Sequence, residues 1–143
     1  MKFNLEKASG VRIHAYDPGV ATLAVPADLE FPEGAEPITD EPSLCRVSRN
    51  LIISSGAIHF KESPENYESL DKSHIEFALD FEPEILLLGT GDRIQFPVAE
   101  IMSIPATRGI GMEVMDTAAA CRTYNILMAE DRRVAAVLFM TEL

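Results

Sequence analysis

Seven residues in the second half of the chain have types and spacing that could hold an anion: Gly89, Thr90 and Gly91 in one run, then Arg93, Thr117, Arg122 and Asn125. Glycines let backbone N–H groups approach a ligand, a helix start offers further donors, and guanidinium groups pair with carboxylate or phosphate. The run lacks the third glycine of a dinucleotide fingerprint and the lysine of a phosphate loop, so a tight exit from a buried strand is the competing reading. For the two arginines, the competing reading is pairing with nearby acids such as Asp92. Cys121, one turn into a helix, is a candidate nucleophile, yet none of His14, His59 or His74 has a sequence-based reason to lie beside it. A packed helix cysteine is the expected role. The histidines show no metal-ligand spacing, Asp116 has no evident carboxylate partner for acid–base work, and no cofactor is implied.

These residues need elements to position them. Ile85 to Leu88 is an unbroken apolar run closed by Gly89-Thr90-Gly91, which reads as a strand buried on both faces and central to a sheet. Two helix-then-strand units follow. Pro97 suits a first helical position, and Val98, Ile101, Met102 and Pro105 trace a helix distorted or stopped near Pro105. Met112 to Met115 is the next strand. Asp116 or Thr117 then caps a helix over Ala118 to Ala129, with Ala120, Tyr124 and Leu127 facing the sheet. Arg133 to Met140 is the last buried strand. Two strand-helix-strand units with short turns imply parallel pairing, and if the strands at Met112 and Val134 flank Ile85 to Leu88 on opposite sides, a switch point where ligands bind falls at the Gly-Thr-Gly loop.

The first half reads differently. Val11 to Pro26 alternates around Asp17-Pro18-Gly19, a β-hairpin pattern. Ala27 to Ser43 carries six acids, no base and three prolines, which predicts a solvated loop, with an acidic docking arm as the functional alternative. Leu44 to Ser54 and Ala57 to Phe60 read as two short strands split by Ser55-Gly56, and Asp71 caps a helix over Lys72 to Phe81 with Ile75, Ala78 and Leu79 on one stripe.

With 143 residues and 47% hydrophobic content the chain fits one domain, residues 1–143. The net charge is -11, which repels a phosphate backbone and argues against nucleic acid as a partner. Residues 1–84 hold 16 acids and 7 bases, whereas 85–143 hold 7 acids and 5 bases, all arginine, so an anion site belongs in the second half. Cys45 and Cys121 lie far apart, MKFNLEKASG has no apolar leader core, and the longest apolar run, Val134 to Met140, is too short to span a bilayer. The expectation is a cytoplasmic protein that does not span a membrane.

ILLLGTGDRIQFP followed by RGIGMEVMDTAAACRTYNILMAEDRRVAAVLF resembles the Mth938-like small α/β domain family. Its members include the third assembly factor of mitochondrial respiratory complex I and the adipogenesis-associated Mth938 domain protein. The resemblance covers about the last 60 residues of the sequence. The family's Leu-Gly-Thr-Gly loop is matched by Leu88 to Gly91, and its helix pattern by Thr117, Ala120, Tyr124 and Asn125. The resemblance implies an α/β fold of three layers, a central mixed, mainly parallel sheet flanked by helices, to which the residues add an N-terminal hairpin region. It implies no catalytic residue.

Two functions follow. The first is a non-enzymatic interaction module that assists assembly of a larger membrane or respiratory complex through a protein partner. The alternative is a binder or enzyme for a small anionic metabolite at the Gly89-Thr90-Gly91 edge. No constellation supplies nucleophile, base and oxyanion donors together, which favours the first. Tyr124 is expected in the core, and Asn125 to bond a neighbouring loop.

Overall fold

The structure is a computed structural model that describes residues 10–140. The start on which the leader argument rests, residues 1–9, lies outside them. Described residues form two sheets. The first has the order β1-β2-β4-β3 and the second β6-β5-β9-β7-β8.

β1 (Arg12–Asp17) and β2 (Val20–Ala24) make the expected hairpin, with Asp17 paired to Val20 and Gly19 at φ +83°, a conformation glycine adopts without strain. The acidic stretch is not all loop. β3 (Glu36–Ile38) pairs with β4 (Glu41–Val47) around a turn in which Asp40 sits at φ +66°. Leu29, Phe31 and Ala35 pack against the core, and burying them draws a charged, proline-bearing segment back onto the fold. β4 then ends at Val47, so the expected strand over Leu44 to Ser54 is two strands in different sheets.

β5 (Leu51–Ser54), β6 (Ala57–His59), β7 (Ile85–Gly89), β8 (Gly111–Met115) and β9 (Val134–Leu138) form the second sheet. β7 pairs in parallel with both β8 and β9, whereas β5 pairs antiparallel with β6 and β9. The sheet is therefore mixed, half parallel and half antiparallel, rather than mainly parallel. Its middle strand is β9, not β7, because the β5–β6 hairpin adds to the free side of β9.

One face of this sheet packs on the long helix and also on the first sheet: Leu51, Ile53, Leu87, Ala136 and Leu138 share a core with Leu23, Cys45, Ala120 and Tyr124. Helices alone therefore do not flank it. The other face, with Ile52, Leu86, Leu88, Val137 and Phe139, packs on α1 (Lys72–Leu79) and Ile101. Asp71 caps α1 by accepting the Ser73 N–H at 2.8 Å, while His74 Nδ1 accepts the Asp71 N–H at 3.0 Å. The bonds from the Ser73 hydroxyl and N–H hold the Asp71 carboxyl below its usual range.

The helix expected from Pro97 is two short pieces, α2 (Ala99–Met102) and α3 (Ile104–Thr107), divided at Ser103 with Pro105 inside the second. Val98 precedes them and is exposed rather than part of a buried stripe. α4 (Thr117–Ala129) follows β8, buries Ala120, Tyr124 and Leu127 as expected, and begins at an Asp116 cap whose carboxylate accepts the Ala119 N–H at 2.8 Å. No helix among the described residues is long and apolar enough to cross a membrane.

Candidate functional site at the carboxyl edge of the sheet

β7, β8 and β9 end on one edge, and the chain leaves β7 through Gly89-Thr90-Gly91. Gly89 is required by close packing: a Cβ there would meet Leu138 Cδ2 at 2.9 Å, Ala120 Cβ at 3.0 Å and Thr117 Cα at 3.1 Å. Gly91 has φ +98°, which turns the chain back toward α4.

Both threonines of the edge are fully buried. Thr117 Oγ1 accepts the Gly91 N–H at 2.7 Å and donates to the Phe139 carbonyl at 2.8 Å, so one hydroxyl joins the β7 exit, the α4 start and the β9 end. The Thr117 N–H donates to the Gly91 carbonyl at 2.9 Å. Thr90 Oγ1 donates to the Arg93 carbonyl at 2.7 Å and accepts the Gln95 N–H at 3.1 Å, which folds the following loop over the edge. With Asp116 on Ala119 and Gly91 on Thr117, the helix start spends these groups on the chain itself.

The structure thus brings Gly89, Thr90, Gly91 and Thr117 together, and Asn125 elsewhere. Eight residues further along α4, Asn125 accepts the Ile13 N–H at 3.0 Å and donates to the Ile13 carbonyl at 2.5 Å. It thereby gives the outer strand β1 the pair of bonds a further strand would give. Tyr124 does the neighbouring task, its hydroxyl donating to the Val11 carbonyl at 2.8 Å from a fully buried ring. Arg93 and Arg122 are exposed, and neither makes an ion pair among the described residues. The expected pairing of the two arginines with acids such as Asp92 is not formed among the described residues.

Tyr16 is a neighbour of this edge that sequence reasoning missed. Burial raises its phenol, a backbone bond with Gly19 opposes that, and Cys121, Asp92 and Asp116 push it further up. Its place here comes from the packing of the first sheet on α4, for which nothing local to Tyr16 is a signal.

Burial pushes the Cys121 thiol up to about 12, with Arg122 a weaker opposing influence. Cys121 is itself buried. His74 is a helix cap, and His59 packs its ring between Phe77 and Phe81 at 5.0 and 5.2 Å, so neither is a base for the thiol. Alkylation of Cys121 at neutral pH should therefore be slower in the folded protein than in the unfolded chain by roughly a thousandfold, given its thiolate fraction. Iodoacetamide labelling followed by mass spectrometry measures this, and rapid selective labelling of the native protein would restore the nucleophile reading. Among the described residues no group of three or more His, Cys, Asp or Glu side chains could hold a metal ion.

The sequence pattern of the family described as "Protein of unknown function (DUF498/DUF598)" matches residues 43–139. The chain belongs to this family. The matched span carries the β7 exit and α4 but starts after β3, so the DUF498/DUF598 helix reaches outside the matched span to hold β1. The chain is 31% identical over 88 residues to the "13 kDa major membrane protein" of Francisella tularensis, covering 62% of this chain and 72% of that one. It is 41% identical over 99 residues to the "NADH dehydrogenase [ubiquinone] 1 alpha subcomplex assembly factor 3" of Xenopus tropicalis, covering 69% of this chain and 51% of the relative. The chain thus spans about half the length of that assembly factor. A solution structure of a Bordetella pertussis protein titled a Mth938-like domain superposes with a TM-score of 0.67 over 94% of this chain and 88% of that one. At 24% identity that likeness shows the fold, the one the Gly-Thr-Gly loop and Thr117 helix imply.

Proposed function

We propose that this DUF498/DUF598 chain is a non-enzymatic interaction module that assists assembly of a larger membrane or respiratory complex, and that its carboxyl edge holds the protein partner. One observation carries the reading. Thr90, Thr117 and Asn125 are spent on the fold, while Arg93 and Arg122 stand exposed without an ion pair among the described residues. Such an edge offers charge for docking and a rigid support beneath it, and it lacks a hydroxyl or thiol poised for chemistry. The assembly-factor relative supports the role, because its similarity extends over 69% of this chain.

The test is the double substitution Arg93→Glu with Arg122→Glu. Both side chains are exposed, so the melting temperature should stay within a degree or two of the wild type, on the order of 0.5 kcal/mol. Partner capture from lysate, read by quantitative mass spectrometry, should then lose the proteins retained by the wild type. A folded double variant that keeps every interaction would overturn this site. Thermal shifts across a panel of small anionic metabolites, seen in the wild type and lost in the variant, would favour a metabolite in its place.

A further inference from the structure

The exposed large apolar side chains of the described residues are unevenly distributed. Ile94 at 49%, Phe96 at 67% and Val98 at 66% exposure fall within five residues, and Ile126 is elsewhere. They alternate with Gln95 and Pro97, which are half-buried. The alternation has a cause: the Gln95 N–H donates to Thr90 Oγ1 at 3.1 Å and its carbonyl accepts the Tyr67 hydroxyl at 3.2 Å. With the segment held inward at Gln95, its apolar neighbours are held outward.

This ridge borders a cleft of about 410 Å³ lined by Tyr67, Glu68, Leu70, Phe96, Val98 and Ile101 among others. The far side of the cleft is built on the core. Leu70 and Ile101 are buried members of it, and the Tyr67 ring meets Phe139 edge-on at 5.3 Å. A cleft of this size, with apolar side chains beside a few polar groups, has the make-up of a binding site. Apolar surface held out in this way marks an interaction site.

Charge decides what sits there. The segments that frame the cleft, residues 61–72 and 92–101, expose Glu62, Glu65, Glu68, Asp71, Asp92 and Glu100 against Lys61, Lys72 and Arg93, and Glu68 is the charged residue of its lining. The chain as a whole carries -11. An anionic lipid surface or a second copy of the chain meets like charge, whereas lysine or arginine beside an apolar face is attracted. We propose that the cleft between Tyr67 and Val98 is a docking groove for an amphipathic segment of a partner protein, bulky and apolar on one side and basic on the other. Neither Arg93 nor Arg122 lines the groove, so this inference does not depend on the carboxyl-edge reading.

Two synthetic amphipathic peptides test it, with one shared leucine and phenylalanine face and a polar face of lysine in the first and glutamate in the second. Fluorescence anisotropy should show saturable one-to-one binding of the lysine peptide. Phe96→Ser should weaken that binding about tenfold or more, the usual size of an anchor residue's effect. Glu68→Lys with Glu100→Lys should weaken it similarly and make the glutamate peptide the better ligand. Glu33→Lys with Glu36→Lys makes the same change of net charge away from the groove, and affinity should stay within about twofold. Arg93→Glu with Arg122→Glu should bind the lysine peptide equally well or more tightly, which separates failure here from failure of the carboxyl edge. All of these side chains are largely exposed, and unchanged melting curves verify folding. Binding that survives Phe96→Ser, or that falls equally on reversal of Glu33 and Glu36, would overturn the groove. So would co-sedimentation with phosphatidylglycerol vesicles through Phe96, or a wild-type dimer that Phe96→Ser dissolves.

Discussion

Replacing Leu87 by alanine is expected to lower the free energy of unfolding by about 2–5 kcal/mol. Leu87 is fully buried on β7, between β8 and β9, and projects into the core shared with Ala120, Tyr124 and the first sheet. Truncation removes the transfer energy of the lost carbons and leaves a cavity that strands on both sides keep from collapsing. The control is Glu33→Ala, an exposed acid of the acidic stretch, which should stay within about 0.5 kcal/mol. Urea denaturation of both variants settles the comparison. Equal costs would remove β7 from the core.

The second large effect belongs to Thr117→Val. Valine keeps the shape and removes the hydroxyl, so the Gly91 N–H and the Phe139 carbonyl both lose the partner that held them at 2.7 and 2.8 Å. An unpaired buried backbone group costs about 1–3 kcal/mol, so a loss of roughly 2–5 kcal/mol is expected. Thr117→Ser keeps both bonds and gives up one methyl group, a cost nearer about 1 kcal/mol. The pair separates hydrogen bonding from packing in the same unfolding experiment. If valine proves as stable as threonine, the hydroxyl bridge between β7, α4 and β9 contributes nothing, and the edge rests on Gly89 packing and the remaining backbone and Thr90 bonds.

Elements with a local cause are legible in the residues. Pro18-Gly19 turns β1 into β2, Asp71 starts α1, and the Ala- and Leu-bearing stretch after Asp116 forms α4. Long-range pairing is not legible in this way. The middle place of β9 depends on β5 joining it from more than 80 residues away, with Leu51 opposite Leu138. β3 was hidden by prolines and acids that look solvated until Leu29 and Phe31 are seen to hold them down. Thr117 and Asn125 stand out in the sequence as a pattern, but what they bond does not. The Ile13 backbone looks like any other stretch of chain, and the outward ridge of Ile94, Phe96 and Val98 exists only because Thr90 and Tyr67 fix the residue between.

The bonds from Tyr124 to Val11 and from Asn125 to Ile13 of β1 join residues 113 and 112 apart in sequence. Synthesis runs from the amino end, so β1, β2 and β4 leave the ribosome long before the side chains that clamp them exist. At about 5–20 residues per second the wait is roughly 5–20 s. Throughout that interval the apolar face of the first sheet, with Val11, Ile13, Leu23 and Val47, has no α4 to cover it. For this chain the newborn protein, rather than the finished one, is the species most exposed to aggregation and most in need of a chaperone.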